Sequence, residues 1–247
     1  MDCNLNTRIE DAALNAWPAL EQEIYDGWLL RFAGGYTKRA NSVNVRYPSR
    51  LPFDEKIRYC ETVYAEQGLP LIFRLPVFLT PLELDAALVR QGYSRFDPTL
   101  VMRREISKVT NIPEGCEVRE LPINEWIRLR AALTETQVSH WETHQSILDV
   151  IVPRKMLMGL YFEGEPVSCG MVVLEDDFLG YFSIFTALAS RRRGFGQVMM
   201  AALTRWGVEH SAAFGYLQVE GDNLPAQAMY QKLGFRTCYQ YTYSRRV

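Results

Sequence analysis

The chain has 247 residues, 48% of them hydrophobic and 23% charged, with a formal net charge of −2. That is ordinary globular usage, enough for a packed core, and it lacks the basic excess that nucleic acid or an anionic membrane surface would call for. The five cysteines (Cys3, Cys60, Cys116, Cys169 and Cys238) are odd in number, far apart and without a C-x-x-C pair, which argues against a disulfide framework or a zinc ribbon and for a reducing compartment.

The first residues, Met1 to Arg8, hold no apolar run that could serve as a signal peptide. A short polar helix ends at Asn15 to Trp17, before Pro18. Ile24 to Phe32 reads as one strand, Gly34-Gly35 as a turn and Ser42 to Tyr47 as the returning strand of a hairpin. Asp54 to Gln67 carries Ile57, Cys60 and Tyr64 at helical spacing, and Gly68 ends it. Leu71 to Val77 is a buried strand within the longest apolar stretch, Leu69 to Leu79. Arg74 and Pro76 interrupt that stretch, and it falls short of the ~20 residues a bilayer span needs. A cytoplasmic location is the expectation. Thr80 is placed as an N-cap with Pro81 at the first helical position, the helix runs to about Gln91, and Ser94 to Arg103 is a strand. Ser107 to Gly115 is polar and holds Pro and Gly, so the boundary between a first unit, 1–106, and a second, 116–247, is set there.

The second unit opens with a strand at Glu117 to Glu120. Helical segments follow at Asn124 to Leu133 and Glu142 to Val150, then strands at Lys155 to Phe162, Pro166 to Leu174 and Phe178 to Thr186. After Arg191-Arg192-Arg193-Gly194-Phe195-Gly196, the residues Phe195, Met199, Ala202 and Trp206 mark one face of a helix. Tyr216 to Glu220 is a strand, Leu224 to Lys232 a helix and Arg236 to Tyr243 the last strand.

Strand, Arg-x-x-Gly-x-Gly, helix is an arrangement that cradles phosphate. A helix N-terminus offers unpaired N–H groups and partial positive charge, and glycines let a diphosphate approach the backbone. On its own the pattern is shared with many ordinary turns. It is neither a Walker loop, since no Gly-Lys-Ser/Thr follows, nor a dinucleotide fingerprint, since an arginine stands at the first glycine position. Downstream lies Leu217-x-Val219-x-x-x-Asn223-x-x-Ala226-x-x-x-Tyr230-x-x-x-Gly234-Phe235. Together the two elements resemble the GNAT superfamily of acyl-CoA N-acyltransferases, in its two-lobed bacterial form with a degenerate N-terminal lobe. The detailed match covers Thr186 to Phe235.

The resemblance implies an α/β fold, a mixed central sheet flanked by helices, in two pseudo-repeated lobes. It implies acetyl-CoA as cosubstrate, with no metal. Backbone amides of Arg192, Arg193, Gly194, Phe195 and Gly196 would hold the CoA diphosphate, with Gln197 at its edge and Arg191 among the cofactor contacts. Ile184, Phe185 and Thr186 would pair with the pantetheine arm, Asn223 would bond the cofactor's amide region, and Tyr230 would protonate the departing thiolate. Read without the motif, Tyr230 is a half-buried aromatic beside Gly234-Phe235, and Asn223 or Asp222 caps the following helix. Glu220 is the first choice for general base, with Tyr181, Glu142 and His140 as alternatives. His140 and His144 stand at i and i+4, but Trp141 occupies the position where a zinc-protease pattern has Glu, so no metal is assigned. The expected acceptor is a primary amine of a small molecule or peptide, attacked directly, in a monomer or homodimer. The competing expectation is a non-catalytic acetyl-CoA sensor.

Setting Gly92 against Gly234, an offset of 142, also aligns Leu75-x-Val77 with Leu217-x-Val219 and Arg103-Arg104 with Arg245-Arg246, which reads as an internal repeat. The cofactor residues do not recur: Pro52, Asp54, Pro81 and Leu88 fall where Gly194, Gly196, Asn223 and Tyr230 stand. The first half is therefore expected to lack cofactor and to wall the acceptor cleft, with Arg31, Arg39 or Asn41 as its candidate contacts. Only about a dozen residues follow Gly234-Phe235, enough for one strand where the family has two. The sheet is thus one strand short or the first half covers its edge.

Overall fold

A computed structural model describes residues 3–106, 111–134 and 141–246. His140 and part of the Ser107–Gly115 boundary lie outside the described residues. The first half runs α1 (Cys3–Ala16), β1 (Glu21–Tyr25), β2 (Trp28–Phe32), β3 (Val43–Val45), α2 (Phe53–Glu66), β4 (Phe73–Pro76), α3 (Leu82–Arg90) and β5 (Tyr93–Glu105). The second runs β6 (Cys116–Glu120), α4 (Ile123–Thr134), α5 (Trp141–Asp149), β7 (Arg154–Phe162), β8 (Glu165–Glu175), β9 (Phe178–Thr186), α6 (Phe195–Glu209), β10 (Phe214–Glu220), α7 (Leu224–Lys232) and β11 (Arg236–Arg246).

All eleven strands form one open mixed sheet in the order β1-β2-β3-β4-β11-β5-β10-β9-β8-β7-β6. The offset of 142 carries the first residue of α2, Phe53, onto that of α6, Phe195, and Leu82 of α3 onto Leu224 of α7. The final strands cross over. β5 pairs antiparallel with β10, from Glu105 against Phe214 to Thr99 against Glu220. β11 inserts between β5 and β4, with Arg74 opposite Tyr243. The first half thus supplies the strand that covers the edge of β10, and the N–H and C=O groups of that edge are paired.

Buried side chains join the halves. Glu10 of α1 forms an ion pair with Arg74 of β4 and accepts a 2.7 Å hydrogen bond from Tyr239 of β11. The nearby guanidinium holds the Glu10 carboxyl below its usual range even though burial pushes it up. Trp126 of α4 donates its Nε1 hydrogen to the carbonyls of Met158 and Gly170, both at 3.2 Å, which fixes α4 on β7 and β8. On the opposite face, Phe195, Met199, Leu203 and Trp206 of α6 pack on Leu179, Tyr181 and Leu217.

Three local expectations need correction. The segment Ile24–Phe32 is not one strand. Asp26 (φ 40°) and Gly27 (φ 82°) turn it into the β1–β2 hairpin, as an Asp-Gly pair between apolar runs does. A Cβ on Gly27 would lie 2.5 Å from the Tyr47 carbonyl oxygen. The first helix is not short: α1 spans 14 residues and buries Ile9, Ala12, Ala13 and Ala16. Thr80 does not cap α3. Pro81 occupies the cap position, and the Thr80 hydroxyl donates instead to the Pro76 carbonyl at 2.8 Å.

Candidate active site

β9 and β10 run parallel, paired from Phe178 against Phe214 to Tyr181 against Leu217, and then separate. Phe182–Thr186 and Gln218–Glu220 continue without facing each other. A bulge helps split them. Ser183 has φ 51°, and the β8–β9 register slips between Cys169 and Met171. A second bulge lies across the gap on β5, where Asp97 has φ 44° and precedes Pro98. The space between them is a cavity of about 540 Å³ reached by Ile184, Glu220, Asn223 and Tyr230. A wider hollow of about 980 Å³ beside α1 and the β1–β2 hairpin holds none of the cofactor or catalytic candidates.

The turn before α6 has the form a diphosphate requires. The first backbone bonds of the helix run from the N–H groups of Gln197 and Val198 to the Gly194 carbonyl, at 2.9 and 3.1 Å. Among the described residues, the amides of Arg192, Arg193, Gly194, Phe195 and Gly196 have no backbone acceptor. Arg192 (φ 64°) and Gly194 (φ 86°) are both left-handed, which curls successive N–H groups into a concave nest. A Cβ on Gly194 would meet no atom within 4 Å, so the space above it is open. Gly196 is close-packed instead: a Cβ there would lie 3.1 Å from Met229 Sδ and 3.5 Å from Thr186 Oγ1. The turn therefore abuts both the end of β9 and α7. Phe195 anchors it beneath, buried 5.3 Å from the Phe162 ring. Of the three arginines, Arg191 donates from Nε to the Thr186 carbonyl at 3.3 Å and Arg193 covers the rings of Phe162 and Phe195. The side chains of Arg191, Arg192 and Arg193 are exposed, adding positive potential around the nest.

Tyr230 points from α7 into the cavity, with its ring edge-on to Phe235 at 5.9 Å. Burial pushes its phenol up to about 12, so it stays protonated throughout the neutral range. Asn223 caps α7, its Oδ1 accepting from the Ala226 N–H at 3.2 Å. Of the two cap candidates, Asn223 and Asp222, the structure uses Asn223, and the Asn223 Nδ2 hydrogens are left for a second partner. Glu220 ends β10 at the mouth of the cavity, exposed. Tyr181 is tied to Thr204 at 2.8 Å, and burial raises its phenol. Glu142 lies outside the cavity lining, as does His144, which sits among the rings of Trp17, Tyr36 and Trp126. Burial first, and Arg130 second, lower the His144 imidazole to about 4.

Of the three candidates from the first half, only Arg39 lines the cavity. Arg31 is buried and donates to the carbonyls of Leu14, Trp17 and Arg39. Asn41 is buried too: its Oδ1 accepts from the Ala33 and Gly35 amides and its Nδ2 donates to the Tyr36 and Thr37 carbonyls, which shapes the loop that delivers Lys38 and Arg39. The sequence reading missed Gln218, Tyr241, Tyr243, Lys38, Asp97 and Arg130, all in the lining. Tyr241 donates to Gln218 Oε1 at 2.8 Å, and Lys38 pairs with Asp97. Asp97-Pro98 inside a strand was the available signal of a bulge.

The model of one protein family, described as "Probable histone acetyltransferase Rv0428c C-terminal", matches residues 7–244. The chain is 29% identical over 241 residues to an uncharacterized N-acetyltransferase, YobR, of Bacillus subtilis, covering 96% of each. A GCN5-related N-acetyltransferase from Kribbella flavida shares the fold at a TM-score of 0.74 and 15% identity, over 97% of this chain and 95% of that one. A tandem GNAT protein from the clavulanic acid biosynthesis pathway shares it at 0.66 and 11%, over 88% and 76%. With the nest before α6, the splayed strands and a match over nearly its whole length, the chain belongs to the Rv0428c C-terminal family of GNAT-type acetyltransferases.

Proposed function

We propose that the protein is an acetyl-CoA-dependent N-acetyltransferase that moves the acetyl group to a primary amine by direct attack. The observation that carries this reading is the run of unpaired amides at 192–196, set around a left-handed Gly194 and abutting the free end of β9. Acetyl-CoA supplies an activated thioester. The amides of 192–196 bind the diphosphate, and the free edge of Phe182–Thr186 orients the pantetheine arm toward Tyr230. Asn223 offers Nδ2 to an amide of that arm. Free main-chain N–H groups of the splayed strand stabilise negative charge on the carbonyl oxygen as the C–N bond forms. The attacking nitrogen loses its proton toward Glu220 or water at the cavity mouth, and the C–S bond breaks as the Tyr230 phenol donates to sulfur. At about 12 that phenol is a weaker acid than free tyrosine, so hydrogen bonding to the departing sulfur precedes proton transfer. The test is thiol release from acetyl-CoA with a panel of amines. Tight acetyl-CoA binding with no release for any amine would overturn the transferase reading.

A further inference from the structure

The charged lining of the cavity is unbalanced. Lys38 and Asp97 neutralise each other, and Glu220 is exposed at the mouth. That leaves two guanidiniums, Arg39 and Arg130, lining the same space. Among the described residues, neither has a carboxylate within ion-pair distance. The Nε of each is buried and without a hydrogen-bond partner. The buried Arg31 and Arg74 also leave Nε without a partner, but the charge of Arg74 is met by Glu10 and the terminal nitrogens of Arg31 donate to three carbonyls.

Arg39 is held rather than loose. Arg31 bonds its carbonyl at 3.0 Å, and its guanidinium stands 5.8 Å from the ring centres of both Trp17 and Phe182. Arg130 projects from α4, on the second half of the chain. Two like charges facing one space, each with an unpaired buried Nε, favour an anion between them. A planar carboxylate matches the guanidinium fork and accepts from two arginines at once. Resting on the transferase reading above, we infer that the acceptor is a small amine bearing a carboxylate, anchored by Arg39 and Arg130 while its nitrogen faces Tyr230. The pair also selects against a lysine-rich peptide, because a cationic acceptor would meet two guanidiniums.

The test uses the full chain with the protein amino acids, β-alanine and 4-aminobutyrate, each beside its carboxamide. Thiol release is expressed per neutral amine. At least one acid should exceed its carboxamide in kcat/KM by about tenfold or more. Arg39→Gln and Arg130→Gln should each raise KM for that acid by about 10- to 100-fold, lower kcat/KM for the carboxamide far less, and leave KM for acetyl-CoA unchanged. A readout without chemistry runs in parallel: calorimetric binding of the N-acetylated acids and their carboxamides to the protein saturated with CoA. Arg-dependent binding of an acid with no thiol release would leave the anchor standing and refute the transferase. Thiol release that treats acids and carboxamides alike, or prefers a lysine peptide, would refute the anchor and leave the transferase. An effect of the variants on acetyl-CoA rather than on the acceptor would also refute it, as would the absence of Arg-dependent binding by any acid.

Discussion

Replacing Gly194 by alanine separates the two reasons for a glycine at that position. Its φ of 86° is left-handed, where a Cβ costs an L-residue about 1–2 kcal/mol. No heavy atom lies within 4 Å of the position the Cβ would take, so no steric clash adds to that cost. For a chain of this size each kcal/mol moves the melting midpoint by about 2–4 °C, so a fall of roughly 2–8 °C is expected, with the fold intact. The same methyl projects into the open side of the nest, where the diphosphate would sit. Each charge-assisted hydrogen bond lost there is worth about 1.5–3 kcal/mol, so acetyl-CoA affinity should fall at least about tenfold. The control is Gly68→Ala, after α2: Gly68 is also left-handed (φ 65°) and open within 4 Å, but it stands far along the chain from the nest. It should reproduce the melting shift and leave affinity alone. Thermal melts by circular dichroism and titration calorimetry read both quantities. Unchanged affinity in Gly194→Ala would refute the nest as the cofactor site.

Tyr230→Phe should cut kcat by about a hundredfold or more with acetyl-CoA affinity preserved. In the unsubstituted protein the pH–rate profile should show no loss from this group between about pH 7 and 10, because its phenol titrates near 12. His144 is held neutral, lowered from 6.5 to about 4, so its contribution to stability is complete above 6.5 and is lost as pH falls from there toward 4. His144→Phe should flatten that acid slope, which amounts to at most about 3 kcal/mol; an unchanged slope in urea titrations across this window would contradict the assignment. Arg74→Met leaves Glu10 buried without its partner and should cost about 3–5 kcal/mol, whereas Lys38→Met at the half-exposed Lys38–Asp97 pair should cost no more than about 1 kcal/mol. Equal losses by chemical denaturation would overturn that ranking.

The parts of this protein that could be read from its sequence are those with local causes. α7 (Leu224–Lys232) and β9 (Phe178–Thr186) lie on the residues read from the sequence, because Asn223 and Gly234 punctuate the helix and Asp176-Asp177 precede the strand. The glycines of the nest were visible for the same reason: backbone geometry selects glycine residue by residue. The exchange of β5 and β11 was not visible as such. Alternation in a strand fixes which face is buried, not which strand lies beside it. Arg130 falls inside the helical segment Asn124 to Leu133 with nothing local to mark it, and Lys38 and Asp97 lie 59 positions apart. Their meeting depends on the bulge at Asp97-Pro98, and Asp26-Gly27 went unread as a hairpin turn although its signature is local.

A crystal structure of the protein grown with CoA tests the central claim most directly. One nucleotide per chain is expected, its diphosphate within hydrogen-bond distance of the amides of 192–196 and its sulfur facing Tyr230. None is expected at α2, whose cap is Pro52, a residue with no N–H to offer. CoA bound anywhere else, or failing to bind at saturating concentration, would contradict the account.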